Sequence, residues 1–395
     1  MRVTPLGTAT PDRIRDTLES HGWDPARAGI AADGADWDAV HATGLDPATV
    51  ERLLLYAGGK LGLAVITGDD WALVVGSRSG LSTLARPWGG PPELAELAEQ
   101  VGLALPASLP ASWAIRDRTV PLDDAVVVGI LNVTPDSFSD GAVHATAAAA
   151  ASHAEHLIAS GAGIIDVGGE STRPGSPEPV SAEEELARVL PVVDALRRIH
   201  PDTPVSVDTV KAAVARRCLA AGASIINDVS GGRLDADLLT AVAEAGAGLV
   251  LMHSRGALDQ MASYREATYD DLVHEVLTEL GAAIERAERA GVAGDAIAID
   301  PGLGFAKRVE DNWELLDQLQ VLRSLGRPIL VGPSRKRFVG AATGQPVDRR
   351  DVASAAACAL AYERGARLFR VHDAESARDA LAVAQAFRSP QRVAE

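Results

Sequence analysis

Asp208, Asn227 and Asp300 each end a short aliphatic run, a position from which a polar side chain enters a pocket walled by hydrocarbon. A carboxylate taken out of water needs donors to face it. A flat heterocycle with an amino group beside a ring N–H offers two donors to one carboxylate. Lys336 could donate to a ring carbonyl or nitrogen on the opposite edge. Cations gather at two further run ends: Arg335, Lys336 and Arg337 after one, Arg370 and His372 after the next, just before a helix start at about Asp373–Ala377. Grouped cations and helix N-termini attract anions, so this corner predicts a phosphate-bearing substrate. Asn132 is uncharged, but its carbonyl oxygen suits a mostly hydrated Mg²⁺ held by substrate phosphates.

The overall charge makes that corner stand out. The chain carries a formal net charge of −17, which argues against a general nucleic-acid or anionic-membrane binder. Lysine is scarce: Lys60, Lys211, Lys307 and Lys336 are the only ones among 37 basic residues. In such a chain a loop lysine hints at ammonium chemistry. Other groupings lead elsewhere. His153 and His156 lie one helical turn apart with no third ligand nearby, and read as helix surface rather than zinc. No G-x-S-x-G elbow is present, and Gly161-Ala-Gly163-Ile-Ile-Asp166 breaks the G-x-G-x-x-G pattern at its last position. Cys218 and Cys358 sit in Ala-rich helical stretches and read as buried small hydrophobes in a reducing compartment. No apolar run approaches the ~20 residues of a membrane span, and the first residues lack the apolar core of a secretory signal. A cytoplasmic enzyme of small molecules is the expectation.

These groups need a scaffold that collects strand ends. From residue 121 onward a short β-branched run, a polar loop and an Ala-rich helical stretch recur. The runs are Val126–Val133, Gly163–Val167, Pro204–Val207, Ser224–Asp228, Gly248–Met252, Ala296–Asp300, Pro328–Val331 and Leu368–Val371. They are nearly all apolar, as strands buried on both faces of a parallel sheet must be. Ser181 with Glu184 opens the helical stretch Ala182–Ile199 as a capping box, and a second helix is predicted over Leu272–Ala290. The pattern predicts an α/β (β/α)₈ TIM barrel over 121–395, with its reactive groups at the C-terminal strand ends. Long loops rich in Gly, Pro and Ser after the first two runs read as lids against water. Residues 1–120 predict a small α+β domain of unassigned role. Its expected parts are helices near Asp12–His21, Ala48–Tyr56 and Pro92–Leu103, a hairpin of Leu61–Thr67 with Trp71–Gly76, and a linker over Leu105–Asp124.

The loops Gly129-Ile-Leu-Asn-Val-Thr-Pro-Asp-Ser-Phe-Ser-Asp-Gly141 and Asp166-Val-Gly-Gly-Glu-Ser-Thr-Arg-Pro-Gly175 closely resemble the two signature loops of the dihydropteroate synthases. The likeness continues in order through Ser206–Thr209, Ile226–Asp228, Leu251–His253, Asp300–Phe305, Ser334–Lys336 and Arg370–Asp373, covering about 121–390. The resemblance implies a folate-pathway transferase, a target of sulfonamides, that uses Mg²⁺ and forms a homodimer. It implies that Asp208, Asn227, Asp300 and Lys336 hold a pterin. Asn132 would bind metal and diphosphate, and Arg173, Arg370 and His372 the diphosphate. Thr172, Arg173, Pro174, Phe305 and Arg337 would line the 4-aminobenzoate side. Lys336, Arg370, His372 and Asp136 would form the catalytic group. Three positions depart from common members: Arg337 where some carry Ser, Pro333 where Thr is common, and Ala142 for a usual Gly. Two other readings remain at this point. One is a methyltetrahydrofolate–corrinoid methyltransferase, which shares the pterin readers but needs no diphosphate corner. The other is a catalytically impaired paralogue that still binds pterin.

Overall fold

The structure, a computed structural model, describes residues 2–9, 17–21, 37–61, 63–76, 78–85, 91–104, 109–116, 118–133, 143–170 and 180–388. Asp136, Thr172, Arg173, Pro174 and the first half of the expected helix Asp12–His21 lie outside these residues. The chain divides into one unit of Met1–Ser108 with Gln320–Gly326 and a second of Leu109–Leu319 with Arg327–Glu395.

The first unit holds an antiparallel sheet in the order β1 (Arg2–Ala9), β2 (Trp37–Thr43), β4 (Trp71–Gly76), β3 (Ala64–Thr67). The expected hairpin is β3–β4, closed by Gly68 N–H donating to Trp71 O at 3.0 Å. Helix α1 (Pro47–Leu53) starts where Asp46 accepts from Ala48 N and Thr49 N, then runs into a π turn over Leu54–Gly58. Helices α2 (Arg78–Leu84) and α3 (Ala95–Ala104) follow. Val40, Leu53, Val74, Leu81, Leu97 and Val101 share its core.

The second unit is the predicted (β/α)₈ barrel. Its parallel strands are β7 (Val126–Asn132), β8 (Ile164–Gly168), β9 (Val205–Asp208), β10 (Ile225–Asp228), β11 (Gly248–Met252), β12 (Ile297–Asp300), β13 (Leu330–Val331) and β14 (Leu368–Val371). They pair in the order β12-β11-β10-β9-β8-β7-β14-β13. The ring closes between β12 and β13 through an Ile299–Ile329 bridge, with Ile299 N donating to Pro328 O at 2.9 Å. Every residue of β8, β10, β11 and β12 is buried, which explains why each read as an unbroken apolar run. Outside lie α4 (Val143–Ala159), α5 (Ala182–Ile199), α6 (Ala212–Ala220), α7 (Ala236–Ala245), α8 (Leu272–Arg289), α9 (Val309–Asp317), α10 (Arg337–Thr343), α11 (Asp351–Glu363) and α12 (Ala374–Arg388). Ser181 caps α5 by accepting from Glu184 N at 3.1 Å, as its spacing predicts.

The expected linker is a correction. Within Leu105–Asp124 the chain forms a hairpin, β5 (Ser112–Ile115) with β6 (Arg118–Pro121). Its apolar face, Trp113, Ile115, Val120 and Leu122, packs on Val128, Ile164, Ile225, Val250, Ala298, Leu330 and Leu368 from the barrel strands. Trp113 Nε1 donates to Ala296 O at 2.8 Å. The hairpin therefore closes the N-terminal end of the barrel and belongs to the barrel unit, which begins at Leu109. Its burial outweighs the turn-rich composition that suggested a linker.

Candidate active site

Parallel pairing puts matched positions of neighbouring strands at one height. Asn132 pairs with Gly168, Gly168 with Asp208, and Asp208 with Asn227, so one row crosses four strands at the C-terminal mouth. A Cβ at Gly168 would lie 3.6 Å from Asn132 Oδ1 and 3.8 Å from Asp208 Oδ2. Glycine keeps the floor open between these two oxygens. Asp300 ends β12 opposite Met252.

Arg370 rises from β14 into the centre. Its Nε donates to Asp166 Oδ2 at 2.6 Å and its Nη2 to Asp208 Oδ2 at 2.8 Å. Asn227 Nδ2 donates to Asp166 Oδ2 at 3.3 Å. Burial works against the Arg370 charge, but Asp166 and Asp208 outweigh it and hold the guanidinium protonated. Burial pushes Asp208 up to about 7, with Arg370 opposing the shift.

Lys336 comes from the loop after β13. Its Nζ donates to Leu303 O and lies 4.5 Å from the Phe305 ring centroid. Burial lowers its pKa to about 8, against the pull of Asp300. Asp300 Oδ1 accepts from Gly302 N at 2.7 Å, and burial raises its carboxyl above the usual range. The loop that carries these partners needs two glycines. Gly302 (φ +71°) would drive a Cβ to 1.9 Å from His253 O, and Gly304 (φ +80°) one to 2.8 Å from Lys336 Cδ. L-residues pay for such φ values, and here there is no room either.

Asp208, Asn227, Asp300, Lys336, Arg370 and Asn132 thus converge as expected. Phe305 joins them from beneath Lys336. His372 stands at the rim, its Nδ1 2.9 Å from Ser334 Oγ, while its own N–H donates to that hydroxyl at 3.1 Å. The basic group after β13 does not hold together. Arg335 turns away into a bidentate pair with Asp351 at 2.7 and 2.8 Å. Arg337 donates to Ala262 O at 3.0 Å and covers the Tyr264 ring at 4.4 Å. The start of α12 is capped by its own Asp373, which accepts from Ser376 N at 3.2 Å and from Ser376 Oγ at 2.6 Å.

Two features escaped the sequence reading. Asp166 lies inside the predicted run Gly163–Val167 but carried no assigned role; in β8 it is 1% exposed. A lone acid within a strand buried on both faces was the available clue. Lys307 and His253 form a buried pair at 2.8 Å, with Lys307 also donating to Phe305 O at 3.1 Å. Burial lowers Lys307 to about 7, and burial together with Lys307 lowers His253 to about 4. The scarcity of lysine pointed at Lys307. Lys211 instead ties Glu170 and Glu185 together behind the mouth. His153 and His156 stay on α4, and among the described residues no group of three His, Cys, Asp or Glu is set to hold a metal.

The sequence profile of the pterin-binding enzymes matches residues 128–372. The chain belongs to the pterin-binding enzyme family. A dihydropteroate synthase of Synechocystis sp. is 44% identical over 262 residues, 66% of this chain and 89% of that protein. The solved dihydropteroate synthase of Xanthomonas albilineans with 4-aminobenzoic acid is 45% identical, with a TM-score of 0.65, over 71% of this chain and 98% of that one. The Yersinia pestis dihydropteroate synthase in complex with a sulfonamide drug is 41% identical, with a TM-score of 0.66, over 70% and 99%. Apart from Gln320–Gly326 the family match lies within the barrel unit, and residues 1–108 fall outside it. Among the described residues no helix is long and apolar enough to cross a membrane.

Proposed function

We propose that the chain is a dihydropteroate synthase. It joins 4-aminobenzoate to (7,8-dihydropterin-6-yl)methyl diphosphate, giving 7,8-dihydropteroate and diphosphate in folate biosynthesis. The convergence of Asp208, Asn227, Asp300 and Lys336 around one mouth, with Arg370 at its centre, carries this reading. The two carboxylates accept from the amino and ring N–H groups of the pterin, and Lys336 donates to its other edge. The methylene C–O bond breaks and its electron pair leaves with diphosphate. Buried carboxylates stabilise the electron-poor ring while Arg370, His372 and Arg173 meet the departing charge. The arylamine lone pair then forms the C–N bond, and its proton leaves with diphosphate or water. Thr172, Pro174, Phe305 and Arg337 shape the aminobenzoate side, and Asp136 acts from the first loop.

Mg²⁺ belongs to this proposal. The donor set suits it: Asn132 offers one neutral carbonyl oxygen beside the row's open floor, which matches an ion that keeps most of its water and is balanced by substrate phosphates. Such an ion supplies charge to the leaving group. The site residues all lie on the barrel, so residues 1–108 are proposed to take no part in the chemistry. A homodimer is also proposed. Val352 and Leu360 on α11 and Val383 and Phe387 on α12 are 79%, 61%, 71% and 79% exposed, an apolar face that suits an interface. A cytoplasmic setting is supported by two buried, unpaired cysteines.

The deciding test is diphosphate release by the purified protein with both substrates and Mg²⁺. Release that requires 4-aminobenzoate supports the synthase. Pterin binding without release supports an impaired paralogue instead.

A further inference from the structure

Asp208 faces two demands. In this structure its Oδ2 accepts from Arg370 Nη2 at 2.8 Å, yet the proposed reaction needs the same carboxylate for the pterin. Arg370 has a second partner that no substrate can reach. Asp166 pairs with Ser206 two residues below the Gly168–Asp208 level. It is 1% exposed, and its Oδ2 takes Arg370 Nε at 2.6 Å. Ile164, Val128, Ile225 and Trp113 line the barrel interior beside it. A buried carboxylate is costly to keep, and this one leaves its Oδ1 without a partner among the described residues. Its bonds go to Arg370 and, more weakly at 3.3 Å, to Asn227. It therefore serves two groups that face the substrate while facing none itself.

We propose that Asp166 is a positioning residue that anchors Arg370 from below. With Nε fixed on Asp166, the guanidinium keeps its place and charge when Asp208 turns to the pterin. Its remaining N–H groups then stay aimed at the diphosphate. Without that anchor Arg370 has only Asp208, and the arriving ring has to compete with the guanidinium for the carboxylate. This inference rests on the reading of Arg370 as a diphosphate ligand.

The experiment uses the full chain and its Asp166→Asn, Arg370→Ala and double variants, each checked for folding by circular dichroism. Calorimetry measures two ligands: the pterin diphosphate and the hydroxymethyl pterin without its diphosphate. Asp166→Asn should weaken the diphosphate form by about tenfold or more and the diphosphate-free pterin by less than about twofold. In the Arg370→Ala background the same change should have no further effect. Equal weakening of both ligands, or an undiminished effect without Arg370, overturns the anchor and leaves a structural role. If Arg370→Ala itself keeps the full preference for the diphosphate form, the reading of Arg370 fails rather than the anchor alone. If Asp166→Asn does not fold, Asp166→Ser, smaller and neutral, takes its place under the same criteria.

Discussion

At Asp300 the carboxylate already spends one oxygen on the backbone, since Oδ1 accepts from Gly302 N at 2.7 Å. The other oxygen is the one proposed to accept from the pterin. Asp300→Asn removes the charge and places a donor where the proposed reading needs an acceptor, on a side chain that is buried. Pterin affinity should fall by roughly 2–4 kcal/mol, read by calorimetric titration; near-wild-type affinity in a folded variant removes Asp300 from the pterin site. The pH profile follows from two other groups. Asp208 must be ionised to accept and titrates at about 7, and Lys336 must be protonated to donate and titrates at about 8. Going down in pH through 7 protonates Asp208, and going up through 8 neutralises Lys336. The profile of kcat/KM should therefore be a narrow bell whose limbs belong to the coupled site. A plateau extending well below 7 excludes Asp208 as the acidic limb. Arg337 is a third case. Its charge rests on Ala262 O and the Tyr264 ring, which supports a shaping role beside the aminobenzoate rather than a direct ion pair. Arg337→Ser should then change the ratio of sulfonamide inhibition constant to aminobenzoate KM. A ratio steady within about twofold, or ~0.4 kcal/mol, places Arg337 away from that substrate.

Among the elements, the barrel strands were the most legible. A strand buried on both faces has to be apolar throughout, and a parallel barrel spaces such strands with helices, so each run fell within two or so residues of the observed β7–β14 bounds. The polar residues ending those runs were legible for the same reason: little else in them is charged. The hairpin Ser112–Pro121 was not. Its strands are four residues each, the second ends on a proline, and Trp113, Ile115 and Val120 alternate with small or polar residues, a weak local pattern whose stabilising surface lies in distant strands. Asp166 was missed because its partner Arg370 is 204 residues away. The hairpin's energetic weight is testable. Trp113 is 1% exposed and hydrogen-bonded, so Trp113→Ala should destabilise the barrel by about 3–5 kcal/mol, seen as an earlier cooperative melt. An unchanged melting temperature denies the hairpin its place as the barrel's closed end.

For the whole molecule, the proposed dimer makes its own prediction. Phe387 and Val383 lie one turn apart on α12, which packs against α11, the helix that carries the exposed Val352 and Leu360. A charge within such a face is hard to bury unpaired. Phe387→Asp should yield a folded monomer by gel filtration with light scattering, while the parent runs as a dimer. A parent that is monomeric at micromolar concentration rejects the proposal.

The closed end of the barrel also has a consequence for synthesis. Trp113 and Ile115 precede every strand they cover, and those contacts extend from Val128 to Leu368. Chains emerge N-terminus first, at about 5–20 residues per second. The hairpin therefore leaves the ribosome long before the last of its partners. For that interval an indole and three aliphatic side chains have no barrel to enter, and the nascent barrel offers a surface to chaperones or to another growing chain. The order of the elements that makes the finished end tight also makes it the last to be sealed.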